Sequence, residues 1–176
     1  MENEQARTLE VLRLAVRMEA DGKEFYQKAS RKSSNKLAKE LFHQLANEED
    51  VHRKKFVEIY KALKRGQNWP DVGPPPAKGG KIKSLFAEAT KSLGSKFKVA
   101  ESELEAIKTA IDMEIRSYNL YHSRSRESTL PVEKQFYKTL AGEERGHHLA
   151  LLDSYEYLSD PAGWFTKKEH WSLDGA

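Results

Sequence analysis

The sequence predicts an all-α fold: a four-helix bundle made of two helical hairpins joined by a long crossover. Three observations lead to this prediction. Apolar residues recur at spacings of three and four in four long segments, which is the period of an amphipathic helix. A stretch rich in proline and glycine separates the second segment from the third. The third and fourth segments repeat the first and second at a constant offset of 95 residues.

The first hairpin is predicted from two helices, over residues 4–31 and 34–65, each with one apolar stripe. Ser33, Ser34 and Asn35 lie at the junction and favour the N-terminal cap of a helix. A connection this short makes consecutive helices antiparallel neighbours.

Residues 66–101 are predicted to form the crossover connection. A short amphipathic piece, 82–92, is expected to pack on the surface of the bundle. Neither half could bury its apolar stripes alone, so residues 1–176 are predicted to form a single domain. The residues that interrupt the helical pattern are Gly66, Pro70, Gly73, Pro74, Pro75, Pro76, Gly79 and Gly80.

The second hairpin is predicted from helices over residues 102–126 and 131–158. Pro131 stands where the first turn of a helix accepts proline. The C-terminal tail, 159–176, opens on a helix-breaking Asp-Pro-Ala-Gly stretch and carries two of the three tryptophans. We expect this tail to fold back on the bundle.

The two halves share a set of polar residues at the common offset. Each half contains a glutamate, a tyrosine seven residues later, and a Glu-x-x-His motif in its second helix. Four helices in two equivalent hairpins with a long crossover are the arrangement of ferritin-like bundles. The matched pairs are Glu19 and Glu114, Tyr26 and Tyr121, Glu49 and Glu144, and His52 and His147.

Composition narrows the classes of function. Lys and Arg are scattered among Asp and Glu at a net charge of +3, which indicates a mixed-sign surface and no nucleic-acid partner. No apolar run approaches the roughly 18–20 residues of a membrane span, and the polar N-terminus suggests no secretory signal. A cytoplasmic location is therefore expected. The chain has no cysteine, so any metal must be bound by His, Asp or Glu.

The polar residues of the two hairpins are predicted to meet at one level of the bundle. The two glutamates of the first hairpin lie 15 residues either side of Ser34, and those of the second lie 15 either side of Thr129. At about 1.5 Å per residue, all four are roughly 22 Å from the turns. Each histidine follows its glutamate by one turn on the same face. The converging residues are Glu19, Glu49, His52, Glu114, Glu144 and His147.

Charge balance predicts that this cluster binds two metal ions. Four buried carboxylates without counter-charge would be very costly. Two divalent cations would balance their charge, and two neutral imidazoles would complete the coordination. Helical spacing leaves one alternative open, because Glu48 and Glu143 also stand within reach of the histidines.

The chain resembles the rubrerythrin branch of the ferritin-like superfamily over almost its whole length, apart from the crossover and the tail. In that family, helices one and three each contribute a terminal glutamate, and helices two and four each contribute Glu-x-x-His. The resemblance favours Glu49 and Glu144 over Glu48 and Glu143. It implies that Glu19 and His52 bind one iron, that Glu114 and His147 bind the other, and that Glu49 and Glu144 bridge the two. Tyr26 and Tyr121 match family tyrosines that form hydrogen bonds near the centre.

The same resemblance implies a non-haem di-iron oxidoreductase that reacts with peroxide or dioxygen. Full rubrerythrins add a rubredoxin-like domain with four cysteines, so here the electrons are expected from an external donor such as a rubredoxin-like protein. Rubrerythrins also place a further glutamate one turn after the helix-three ligand. This chain has Ser117 there and Gly22 at the matching position of the first half, which weakens the expectation of peroxide reduction.

Other functions use the same residues. The centre could act as a ferroxidase or iron-handling site, or the metal could be structural in a non-enzymatic bundle. Manganese or a mixed metal pair would accept the same ligands. A homodimer formed through helix faces is a further expectation.

Overall fold

The computed structural model describes residues 2–73, 79–94 and 97–166, which form helices and no strands. The all-α bundle predicted from the periodicity is confirmed. A short helical turn at residues 161–166 follows the last long helix. The five main helices are α1 (Glu2–Lys32), α2 (Lys36–Lys64), α3 (Gly79–Leu93), α4 (Glu101–Glu127) and α5 (Pro131–Ser159).

Two helical hairpins, α1–α2 and α4–α5, make up the bundle. The second helix of each hairpin begins where the sequence indicates. Asn35 caps α2, and its side chain accepts a hydrogen bond from the backbone N–H of Ala38 at 3.2 Å. Pro131 occupies the first turn of α5, where its missing N–H costs no intrahelical hydrogen bond.

The first helices of the two hairpins run antiparallel. Arg7, near the start of α1, forms an ion pair of 2.9 Å with Glu127 at the end of α4. At the opposite end, Glu103 in the first turn of α4 accepts hydrogen bonds from the backbone N–H groups of Ser34 at 2.7 Å and Asn35 at 2.9 Å. The turn of the first hairpin therefore lies beside the start of α4. The midpoints of all four long helices consequently lie at a similar level along the axis of the bundle.

The apolar core is divided into two clusters, one on each side of the mid-bundle level. The first lies toward the turn of the first hairpin and includes Leu37, Leu41, Phe42, Ile107 and Leu151. The second lies toward the turn of the second hairpin and includes Leu12, Phe56, Ile59, Phe136, Tyr137 and Leu140. The predicted polar residues occupy the layer between them, so both clusters shield that layer from the ends of the bundle.

The crossover helix α3 packs on the bundle through one apolar face, and its other face is exposed. Ile82 is 2% exposed and belongs to the first core cluster. The ring of Phe86 lies 5.9 Å from that of Tyr157. The expectation that Gly79 and Gly80 interrupt the helix is wrong, because α3 begins at Gly79. The N–H groups of a first turn have no intrahelical acceptor, so glycine there costs backbone entropy but breaks no hydrogen bond.

The start of the tail returns to the bundle. The rings of Trp164 and Phe165 lie 6.2 Å and 6.1 Å from the ring of Tyr157 on α5. Pro74, Pro75, Pro76 and the tail from residue 167 onward lie outside the described residues. Within the part of the chain that is described, no helix is both long and apolar enough to cross a membrane.

Candidate metal centre

The structure brings the six predicted residues together at mid-bundle, one from each of α1 and α4 and two from each of α2 and α5. Each of them is at most 5% exposed. Their possible ligand atoms form two groups in which all atoms lie within 4.8 Å of one another. One group contains Glu49, Glu114, Glu144 and His147, and the other contains Glu19, Glu49 and His52.

The histidine rings point Nδ1 into this cluster. Nδ1 of His52 lies 3.5 Å from Oε2 of Glu19 and 3.2 Å from Oε1 of Glu144. Nδ1 of His147 lies 3.4 Å from Oε2 of Glu114 and 3.5 Å from Oε2 of Glu144. Glu144 therefore turns one oxygen toward each histidine, and the two rings stand 6.0 Å apart at 17°.

The atoms that face the interior of the cluster are buried but form no hydrogen bond within the described residues. A buried polar atom without a partner is costly, and native proteins contain few of them. Here such atoms converge on one place and are all carboxylate oxygens or imidazole nitrogens. This donor set fits divalent iron or manganese. The atoms are Oε2 of Glu19, Oε2 of Glu114, both carboxylate oxygens of Glu144, and Nδ1 of His52 and His147.

Glu48 and Glu143 support the histidines from the opposite hairpin. Nε2 of His52 lies 2.7 Å from Oε2 of Glu143, and Nε2 of His147 lies 2.8 Å from Oε2 of Glu48. With the Nδ1 lone pair directed to the cluster, the Nε2–H group donates to the carboxylate. Such a carboxylate orients a metal-binding histidine and raises its basicity. Spacing alone leaves these two glutamates open as alternative ligands, and it does not reveal this supporting role.

Tyr26 and Tyr121 also act across the hairpins. The hydroxyl of Tyr26 donates to Oε1 of Glu114, and the hydroxyl of Tyr121 donates to Oε1 of Glu19. Each bond occupies one oxygen of a terminal glutamate and leaves the other, Oε2, facing the cluster. Both phenols are buried, at 1% and 0% exposure. The tyrosines therefore orient these carboxylates within a layer that excludes water.

Burial and the crowding of charge separate the glutamates into two kinds. Burial, followed by the charge of Glu19, raises the pKa of Glu49 well above its ordinary value. Burial and the charge of Glu114 raise the pKa of Glu144 to about 7. Burial also acts to raise the pKa values of Glu19 and Glu114, but contacts with neighbouring histidines and carboxyl groups outweigh it, so both end below the ordinary value.

The histidines complete a proton-binding cluster in the metal-free protein. Burial lowers the pKa of each imidazole, but the surrounding carboxylates outweigh this effect and leave both pKa values well above the ordinary range. The two histidines, Glu49 and Glu144 can thus bind protons in place of metal ions. Divalent cations would displace those protons, because ligands must be deprotonated to bind a metal.

Gly22 and Ser117 leave the centre without a further carboxylate at these positions. Gly22 is buried on α1 one turn after Glu19, and a Cβ atom built there would lie 3.6 Å from the carboxylate of Glu49. Ser117, its counterpart on α4, is partly buried. Gly22, where the sequence has no further carboxylate, therefore lies beside the cluster.

Comparison with known proteins places the chain in a family. A family profile described as rubrerythrin matches residues 10–155, which include all six residues of the cluster and both tyrosines. Neither the curated proteins nor the solved structures contain a match. The profile covers far more than half of the chain, and the fold and the buried carboxylate–histidine cluster agree with it. The chain belongs to the rubrerythrin family.

Proposed function

We propose that the protein is a di-iron carboxylate oxidoreductase that reduces peroxide or dioxygen with electrons from an external donor. The observation that carries this proposal is the position of Glu144, which turns one oxygen toward each of two nearly parallel histidines. A carboxylate so placed suits a bridge between two metal ions. Two ferrous ions bound there would together supply the two electrons that peroxide takes up on reduction.

The roles of the residues follow from their contacts. Glu19 and His52 would bind one ion, and Glu114 and His147 the other. Glu49 belongs to both groups of ligand atoms and would share the bridging position with Glu144. Manganese or a mixed pair would fit the same oxygen and nitrogen donors. A homodimer and a cytoplasmic location remain predictions from the sequence.

Side chains around the metal ligands would keep those ligands oriented and would exchange protons with them during turnover. Tyr26 and Tyr121 orient the terminal glutamates, and Glu48 and Glu143 orient the histidines. Glu49 and Glu144, with their raised pKa values, are suited to accept and return protons when the charge at the centre changes. The two apolar clusters exclude water on both sides of the layer.

A stopped-flow measurement tests this proposal. Iron-loaded, reduced protein is mixed with hydrogen peroxide or dioxygen, and oxidant consumption is followed in the presence of a one-electron reductant. We expect rapid oxidation of the iron and continued consumption of oxidant, and we expect Glu49→Gln to abolish both. Glu24→Gln, at an exposed position of the same hairpin, serves as the matched control and should behave as wild type.

Two outcomes would contradict the proposal. If the reduced, iron-loaded protein reacts with neither oxidant, the centre is structural. If added Fe(II) is oxidised and released as Fe(III) while the external reductant is not consumed, iron is the substrate, and the protein is a ferroxidase.

A further inference from the structure

A row of oxidisable aromatic side chains leads from the centre to the protein surface. Tyr121 donates its hydrogen bond to Glu19, and its ring lies 6.1 Å from the ring of Tyr137. The ring of Tyr137 lies 6.2 Å from that of Trp69. Trp69 in turn lines two surface cavities, of about 340 Å³ and about 260 Å³. The row thus spans from a carboxylate of the centre to positions that solvent and small molecules reach.

The chemistry of these side chains suits single-electron transfer. Phenols and indoles lose one electron far more readily than the aliphatic and phenylalanine side chains around them, and the described residues include no free cysteine that would compete. Electron tunnelling falls off exponentially with distance. Several short steps between neighbouring rings are therefore faster than one long step across the same span.

The first half of the molecule interrupts the equivalent row. Tyr26 corresponds to Tyr121, but the position that matches Tyr137 is Phe42, whose ring lies 6.1 Å from that of Tyr26. The tryptophan that matches Trp69 is Trp164, and it packs on Phe86 and Tyr157 instead. The row is therefore complete in only one of two otherwise similar halves.

Packing alone does not account for Tyr137. Its side chain is 0% exposed, and its hydroxyl has no hydrogen-bond acceptor within the residues that the structure describes. A buried hydroxyl without an acceptor lowers stability, and phenylalanine fills the matching position of the first half. The phenol faces Arg124, whose guanidinium carbon lies 5.9 Å from the centre of the Tyr137 ring, and the first half has neither this phenol nor this arginine.

We propose that Tyr121, Tyr137 and Trp69 form a relay that passes single electrons from a one-electron reductant at the Trp69 surface to the metal centre. This inference rests on the proposed function, because only a centre that has reacted with peroxide or dioxygen is oxidising enough to take an electron from a phenol. The relay supplies that electron from the surface and protects the interior from irreversible oxidation.

Each step of the relay conserves protons and electrons. Tyr121 would give one electron to the metal ions bound at the centre and its phenolic proton to Oε1 of Glu19, the acceptor of its hydrogen bond. Tyr137 then reduces the Tyr121 radical, which recovers its proton from Glu19. Trp69 next reduces the Tyr137 radical, and the surface reductant returns one electron to the indole radical cation. The net change is one electron moved from the reductant to the centre.

Glu133 is the carboxylate that the relay assigns as the proton acceptor for Tyr137. It precedes Tyr137 by one turn on α5 and is itself buried, at 4% exposure. Burial, followed by the negative charge of Glu133, raises the pKa of Tyr137. Arg124 lies between the two groups in the sense that it donates to Glu133 at 2.9 Å and faces the ring of Tyr137. On oxidation the phenolic proton would pass to Glu133, and on reduction it would return.

Flash photolysis tests the relay without relying on the reactivity of the centre. The full-length, metal-free chain carries Trp164→Phe and Trp171→Phe, so that Trp69 is the only indole, and a soluble photo-oxidant generates the indolyl radical. We expect this radical to decay as a tyrosyl radical appears. Tyr137→Phe should abolish the growth of the tyrosyl signal. Tyr157→Phe, a buried phenol outside the row, should leave it unchanged.

Electron paramagnetic resonance of the iron-loaded protein then tests the link to the centre. Reduced protein is frozen shortly after addition of peroxide without reductant. We expect a protein radical on tyrosine and tryptophan in the wild type, only on tyrosine in Trp69→Phe, and a wild-type pattern in Trp164→Phe. Mass spectrometry should find oxidation products at residue 69 and fewer of them in Tyr137→Phe.

Flash photolysis and electron paramagnetic resonance together distinguish failure of the relay from failure of the proposed function. If Tyr137→Phe and Tyr157→Phe behave alike after the flash, the relay is overturned whatever the centre does. If the flash arm succeeds and peroxide yields no radical and no oxidised iron, electron transfer between Trp69 and Tyr137 stands, and the proposed function fails together with the last step of the relay.

Discussion

The two halves of the molecule agree at the centre and differ around it. Both halves provide a terminal glutamate, a Glu-x-x-His motif, a tyrosine that reaches the opposite hairpin, and a glutamate that supports the opposite histidine. Each half therefore orients the ligands of the other. Neither hairpin alone completes either group of ligand atoms, so two ions bound in similar environments would depend on this reciprocity.

At the level of the centre, the outer faces of the two hairpins carry different side chains. In the first half, Asp50 binds Lys23 at 2.8 Å, Lys54 at 2.8 Å and Arg53 at 3.0 Å. In the second half, the matching positions line a cavity of about 350 Å³ together with Ile115. Tyr118 stands in place of Lys23, and Arg145 in place of Asp50. His148 stands in place of Arg53, and Leu149 in place of Lys54.

The turns of the two hairpins differ as well. The second turn carries a buried ion pair of 2.9 Å between Arg124 and Glu133, where the first has Ala29 and Ala38. The repeat thus preserves the residues that face the centre, whereas the residues around it differ between the two halves. Functions that need only one half, such as an electron relay, can then be placed in one half alone.

The largest effect is expected at Glu144, which serves both halves. We predict that Glu144→Ala loses both metal ions, because each histidine loses its facing carboxylate oxygen. Glu19→Gln and Glu114→Gln should each weaken mainly one ion, and by similar amounts. Metal counting after reconstitution checks this. Equal losses in all three variants would contradict the bridging role of Glu144.

The next largest effect is expected at the buried ion pair of the second turn. Arg124→Ala leaves Glu133 buried without its partner and should lower the free energy of unfolding by about 3–5 kcal/mol. The double variant Arg124→Ala/Glu133→Ala, which imitates the alanines of the first turn, should recover most of this loss. Urea denaturation of the metal-free proteins measures both.

The exposed pair Lys108–Glu105 provides the control for that measurement. Lys108→Ala should leave the unfolding transition where it is. If the double variant is as unstable as Arg124→Ala, the attraction within the ion pair exceeds the free-energy cost of burying its two charges, and the expected recovery is contradicted.

A smaller effect is expected for the glutamates that support the histidines. We predict that Glu48→Ala and Glu143→Ala each weaken metal binding by roughly 10–100-fold, the range typical of such supporting contacts. Competition with a chromophoric chelator measures the affinity, and Glu24→Ala is the control. Equal losses of affinity in the two variants would support the equivalence of the two halves, and unequal losses would contradict it. The two side chains differ in exposure, which is 6% for Glu48 and 17% for Glu143.

The smallest effect is expected from pH on the metal-free protein. Groups whose folded pKa is raised contribute stability below their unfolded pKa, and that stability is lost as pH rises through the folded pKa. For Glu144 the loss runs from its ordinary value of 4.5 to about 7, and the raised pKa values of His52 and His147 continue it above 6.5. The melting temperature of the metal-free protein should therefore fall as pH rises above 4.5. Metal-loaded protein should lack this fall, and an identical pH dependence in both forms would contradict it.

The helices and the convergence of six residues could be predicted because both depend on position along the chain. Helical periodicity determines which face of a helix a residue occupies. The number of residues from the turn determines its level along the axis of an antiparallel pair. The contacts between hairpins could not be predicted in this way. Whether Glu48 binds a metal or the Nε2 atom of His147 depends on the angle of one hairpin against the other. The same is true of Trp69, which reaches Tyr137 only through the path of the crossover.

The most direct test of the central claim is Mössbauer spectroscopy of protein reconstituted with isotopically enriched iron, together with metal counting. The centre described here predicts two irons per chain that form one spin-coupled pair after oxidation, and Glu144→Ala should lose the pair. A single iron per chain, or two irons that are magnetically independent, would contradict a dinuclear site built from Glu19, Glu49, His52, Glu114, Glu144 and His147.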